Sequence, residues 1–156
     1  MFSAFLALAA ATQVSTIGPW TIFRLNEDEC GMGSLDQSAT AFIVSFDRKQ
    51  PKIGMVAVGN KGWATLQSGS APPLEFIFNG QTVATAGRTT VRLGSLPLAV
   101  ATVPSWRLDE AIRNRASLGA RYKGTMLTIH YGDPFAISAY EAARACVGFA
   151  NDPLAN

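Results

Sequence analysis

Short apolar runs separated by polar turns fill most of this chain, and two stretches shift to the spacing of a helix. Thr125, Leu127, Ile129 and Tyr131 alternate with Met126, Thr128 and His130, which is the period of a strand. Residues 20–25, 39–46, 53–58, 63–66, 74–78, 81–85, 89–93 and 98–103 are further short runs rich in β-branched and aromatic side chains. The polar segment 47–52 makes a hairpin of the two runs beside it. Asn79-Gly80 predicts a tighter hairpin, because a type I′ turn requires positive φ at both central residues.

The first helical stretch runs from Trp106 to about Leu118, with Ser105 as its cap and Gly119 as its stop. Leu108, Ala111, Ile112 and Ala116 line one face, Asp109 and Glu110 come early, and Asp109 and Arg113 stand at i,i+4. The second carries the capping-box pattern Ser138-Ala139-Tyr140-Glu141, continues to about Ala150 and stops at Asn151-Asp152-Pro153. Together these elements predict an α+β domain. Its sheet is mostly antiparallel, of six to eight strands, sandwich- or barrel-like, with one internal and one C-terminal helix.

Composition narrows the setting. At 156 residues, 48% hydrophobic and 15% charged, the chain has the size of a single folded domain. A formal charge of +2 is too small to indicate nucleic acid or an anionic membrane surface as partner. No run reaches the ~18 apolar residues of a membrane span. Residues 1–11 read as a signal peptide: an uncharged apolar run ends in three alanines, which places the mature domain at 12–156. No Lys or Arg precedes the run, so a second reading makes it the apolar first element of a cytosolic fold.

The two cysteines, Cys30 and Cys146, are read either as a disulfide or as two separate buried thiols. Export favours the disulfide.

The carriers of a family likeness are Trp20, Cys30, Trp63 and the ending L-T-I-H-Y-G-D-P-F-A-I-S-A-Y-E-A-A-R-A-C. In this layout, across most of residues 18–150, the chain resembles small exported alphaproteobacterial proteins of the invasion-associated locus B-like group. The resemblance implies a periplasmic or cell-surface β-rich protein without an assigned active site.

Candidate chemistry is sparse. The single histidine, His130, with Asp133 three residues on, is the one pairing on which a small hydrolase could be built. No Gly-x-Ser-x-Gly elbow accompanies it, and Ser138 is better used as a helix cap. Two cysteines and one distant histidine do not match a structural zinc pattern. The acidic run 26–29 lacks the alternating oxygen ligands of a calcium loop, and Gly31-x-Gly33 lacks the third glycine of a dinucleotide fingerprint. Neither Glu27/Asp28 nor Asp109/Glu110 is spaced to face its neighbour across a cleft as glycosidase carboxylates do.

Arg107, Arg113, Arg115, Arg121 and Lys123 crowd one region and form a candidate anion or partner patch, set against the simpler reading of a solvated helix face. Trp20, Trp63 and Trp106 are core residues or, if a pair is exposed, a surface for sugar or peptide. The expectation is therefore a non-enzymatic, periplasmic or secreted domain with a binding or structural role, no cofactor and no metal. Its partner would be a cell-envelope component or another protein. The rivals are the His130/Asp133 hydrolase and the cytosolic β-rich domain.

Overall fold

The computed structural model describes residues 11–35, 40–61, 74–85, 88–93, 96–115, 117–129 and 134–149. Among them run β1 (Thr12–Ile17), β2 (Trp20–Arg24), β3 (Glu29–Leu35), β4 (Thr40–Asp47), β5 (Ile53–Asn60), β6 (Leu74–Phe78), β7 (Gln81–Thr85), β8 (Arg88–Leu93) and β9 (Leu96–Pro104). The helix α1 (Ser105–Arg113) follows, then β10 (Leu118–Tyr122), β11 (Thr125–Ile129) and the helix α2 (Pro134–Cys146). The α+β class and the antiparallel sheet are as expected. Among the described residues the strands divide into two sheets, one of seven strands, within the expected six to eight, and a second of four that the sequence did not separate from it.

The larger sheet has the order β1-β2-β3-β4-β5-β9-β8 and the smaller β11-β10-β6-β7, with every pairing antiparallel. The strands not foreseen are β1, β3 and β10. The first is polar and exposed, and the other two contain glycines that weaken any strand pattern. Run 63–66, including Trp63, lies outside the described residues, as do residues 1–10.

Strand alternation sorts the core onto the two faces of the large sheet. Phe42, Val44, Phe46, Val56, Val58, Ala99 and Ala101 join a cluster that also holds Leu74 and Phe76 of β6, Ala120 of β10, Leu108 and Ile112 of α1, and Tyr140 of α2. Both helices and the smaller sheet thus pack on one face. Ile43, Met55, Ala57, Leu98 and Val100 form a second cluster on the other, with Phe23 and Leu25.

Phe23 explains the glycines of β3. A Cβ on Gly31 would stand 2.6 Å from the Val44 carbonyl oxygen and 2.7 Å from the Phe23 ring, and one on Gly33 would also meet that ring. The ring therefore lies over bare backbone. Gly31→Ala is expected to destabilise the fold by about 1–3 kcal/mol, the usual cost of overpacking. A shift below about half a kcal/mol in urea unfolding would show that strand and ring move apart freely.

Turns use positive φ where the chain must reverse tightly. Asn79 and Gly80 adopt φ of 49° and 79°, as the I′ expectation requires. Lys123 and Gly124, at 48° and 77°, make a second such turn between β10 and β11.

Helix limits differ from the sequence reading. Ser105 is the first residue of α1 and caps nothing: its hydroxyl donates to the Pro51 carbonyl at 2.9 Å. The helix stops at Arg113, because Arg115 takes a φ of 51°, and Gly119 is a strand residue. The helix α2 begins at Pro134, whose missing N–H and fixed φ suit a first turn. Ser138 thus stands in the second turn, and the Ser138/Glu141 capping box does not form. Glu141 instead accepts from Arg113 Nη1 at 3.0 Å, joining the two helices. The C-terminus of α2 is closed by Gly148 at φ 86°, with Gly148 N–H donating to Ala145 and Phe149 N–H to Arg144.

Cys146 ends α2 and is disulfide-bonded to Cys30 of β3, with the Cα atoms 6.0 Å apart. Arg24 Nη2 donates to the Cys146 carbonyl at 3.0 Å, so β2 also holds this helix end. Between α1 and α2, Asp109 accepts from Arg113 Nε at 2.8 Å, the i,i+4 pair the sequence predicts, and lies 3.7 Å from Arg144 Nη1. The buried Tyr140 ring meets Phe46 edge-on at 5.3 Å, and burial, with Asp109 nearby, pushes its hydroxyl above the ordinary range.

Candidate functional site

A cleft of about 340 Å³ opens between α1 and the β6–β7 hairpin. Trp106, Glu110 and Asn114 border it from the helix side at i, i+4 and i+8, one face of a helix. Gln81 and Val83 border it from β7 at the period of two that puts both on one face, and Asn79 joins them from the turn. Phe78 and Ala111, both buried, contribute the apolar floor.

Both walls are anchored. Leu108 and Ile112 are buried on the opposite face of α1, and the Ser105 N–H donates to Lys52 at 2.9 Å. On the hairpin side, the Asn79 N–H donates to Ser117 at 2.8 Å, tying the turn to the segment that enters β10. This anchoring turns Trp106 outward, leaving it 49% exposed. The Arg107 guanidinium lies 5.1 Å from the indole centroid, a cation–π contact that holds the ring in place. The side chains of Asn79, Gln81, Glu110 and Asn114 have no hydrogen-bond partner among the described residues. The cleft thus offers a half-exposed indole, three primary amides, one carboxylate and one guanidinium.

Two of the five basic residues singled out in the sequence are engaged by carboxylates. Arg113 is paired with Asp109 and Glu141, and Arg121 with Glu75 at 3.2 Å across β10 and β6. Lys123 lies over Tyr122 at the β10–β11 turn, and Arg115 follows the end of α1. Only Arg107 borders the cleft.

Trp20 is a core residue at 2% exposure. His130 and Asp133 lie outside the described residues.

The acidic run 26–29 serves the β2–β3 turn. Asp28 pairs with Arg48 and Lys49, which hold its carboxyl below the ordinary range, and no cluster of potential metal ligands occurs among the described residues.

Glu29 differs from its neighbours. It is 4% exposed and accepts from the Ser45 hydroxyl at 3.0 Å and from Asn26 Nδ2 at 3.4 Å. Burial pushes its carboxyl up, and the Asp47 carboxylate adds to the effect, against the pull of those hydrogen bonds. A carboxyl raised on folding contributes stability below its unfolded value near 4.5 and loses it as pH rises through the folded value. Glu29→Gln is therefore expected to gain stability relative to the parent as pH rises to neutrality. Urea midpoints of both proteins across that range check it; parallel curves would contradict it.

Sequence reasoning gave Asn79 to a turn and Glu110 to the start of a helix, and gave Gln81 and Asn114 no functional role. The i, i+4, i+8 spacing of the helical set was legible, but nothing local indicates that a hairpin from residues 78–83 stands opposite it. Comparison with protein-family models, with curated proteins and with solved structures finds no match to this chain.

Proposed function

We propose that this chain is an exported cell-envelope domain that binds a ligand non-covalently through the cleft between α1 and the β6–β7 hairpin. The observation that carries the exported setting is the Cys30–Cys146 disulfide, which uses both cysteines of the chain. Such bonds persist in oxidising compartments and are rare where thioredoxin and glutathione keep thiols reduced. The apolar run 1–11 and the start of β1 at Thr12, where the mature chain would begin, support the same reading. The layout resemblance to exported envelope proteins agrees with it. Binding rather than hydrolysis is favoured by the cleft itself. Glu110 is its one carboxylate among the described lining residues, whereas glycoside hydrolysis uses a facing pair.

The test is the intact mass of the protein expressed in a bacterial host with its native N-terminus, alkylated before and after reduction. Loss of the leader, with no alkylation until reduction, is the expected result. A full-length mass with two free thiols would overturn export.

A second reading keeps the N-terminal run as part of a cytosolic fold. Ala11 packs against the cluster around Ile43 and Leu98, which favours it. Under that reading deletion of residues 1–11 destabilises the protein. Under the exported reading the deletion is the mature form and unfolds at the same urea concentration.

A further inference from the structure

We infer that the cleft beside Trp106 takes a neutral saccharide, of one or two pyranose units. This inference rests on the binding reading above and names the ligand class of that site. Its size, about 340 Å³, lies at the lower end of the range for small-molecule sites. A pyranose has a flat apolar face of C–H bonds and a rim of hydroxyls, each both donor and acceptor. The indole of Trp106 supplies a flat π surface whose negative face attracts the positive ends of those C–H bonds. Around it, Asn79, Gln81 and Asn114 offer amide donors and acceptors, and Glu110 offers acceptors only. All four are exposed and have no partner among the described residues.

Charge and polarity argue against other ligand classes. Arg107 and Glu110 cancel formally, and Arg113 and Arg121 are engaged with carboxylates away from the cleft, so nothing concentrates positive charge for an anion. A lipid chain would strip water from the amides and the carboxylate without replacing their hydrogen bonds, a cost that rules against it.

The experiment is an NMR titration of the full chain. The indole N–H of Trp106 and the side-chain amides of Asn79, Gln81 and Asn114 are the reporters. The probes are N,N′-diacetylchitobiose, cellobiose and maltose at millimolar concentration, with triglycine as the zwitterionic alternative. At least one saccharide is expected to shift these four signals together. Trp106→Ala is expected to weaken that binding about ten-fold or more, as loss of a central aromatic anchor does. Gln81→Ala is expected to weaken it less.

Because Trp106 and Gln81 are exposed, both variants are expected to keep the parent's urea midpoint, which separates lost binding from lost fold. Saccharide shifts confined to other surfaces, or unaffected by Trp106→Ala, would overturn the inference. Triglycine binding in the cleft without saccharide binding would also overturn it while leaving the binding reading standing. No binding by any probe would remove both, and the mass measurement would still decide export independently.

Discussion

Replacing Cys30 and Cys146 together by alanine is expected to lower stability by about 4–5 kcal/mol, the chain-entropy value for a crosslink closing a loop of this length. The two residues are separated by 116 positions, so the bond restricts most of the unfolded chain. Natural domains of this size have about 5–15 kcal/mol in all, which leaves the variant close to unfolding at ordinary temperature. The end of α2 still has Arg24 on the Cys146 carbonyl and its own closure at Gly148, and its face of Ala136, Ala139, Tyr140 and Ala143 stays buried. The native far-UV spectrum should therefore persist in the absence of denaturant, while the urea midpoint falls. The slope of unfolding should rise, because the uncrosslinked chain exposes more surface when it unfolds. A loss below about 1 kcal/mol, the size of an ordinary point substitution, would mean that the bond does not constrain the chain in this way.

Leu108→Ala is expected to cost about 3 kcal/mol, within the 2–5 range for emptying a buried leucine site. Leu108 is fully buried at the centre of α1, and its side chain lies over Gly54 of β5, where a Cβ would collide with it. The contact is the point where the helix meets the large sheet. Removing the Cγ and both Cδ atoms there leaves a cavity bounded by strand backbone, which relaxes little. The same helix carries Trp106, Glu110 and Asn114, so the variant should also broaden the NMR signals of the cleft. Trp106→Ala, on the exposed face, should change stability by less than about half a kcal/mol. Equal urea midpoints for Leu108→Ala and the parent would show that α1 is held mainly by its ends and its ion pairs.

Strand periodicity in β4, β5, β6 and β9 was readable because each run is apolar on both or one of its faces for five residues or more. The Asn79-Gly80 turn was readable because its conformational demand is met by two adjacent residues. The strand β3 was hidden, since its two glycines look like a loop until Phe23 of the neighbouring strand is laid over them. The start of α2 at Pro134 was available from the first-turn preference of proline, but the Ser138/Glu141 pattern resembled a cap more closely. The end of α1 depended on Arg115 taking a left-handed conformation, which a sequence rich in good helix residues does not announce.

By itself, then, the sequence determined what depends on neighbours within about one helical turn: strand and helix periods, tight turns, the Asp109–Arg113 pair and the α+β class. The tertiary structure alone decided the division into two sheets, the order that places β9 beside β5, the joining of Cys30 to Cys146, and the cleft. Those features join segments tens of residues apart, where register and burial across the core, and not local preference, select the partner.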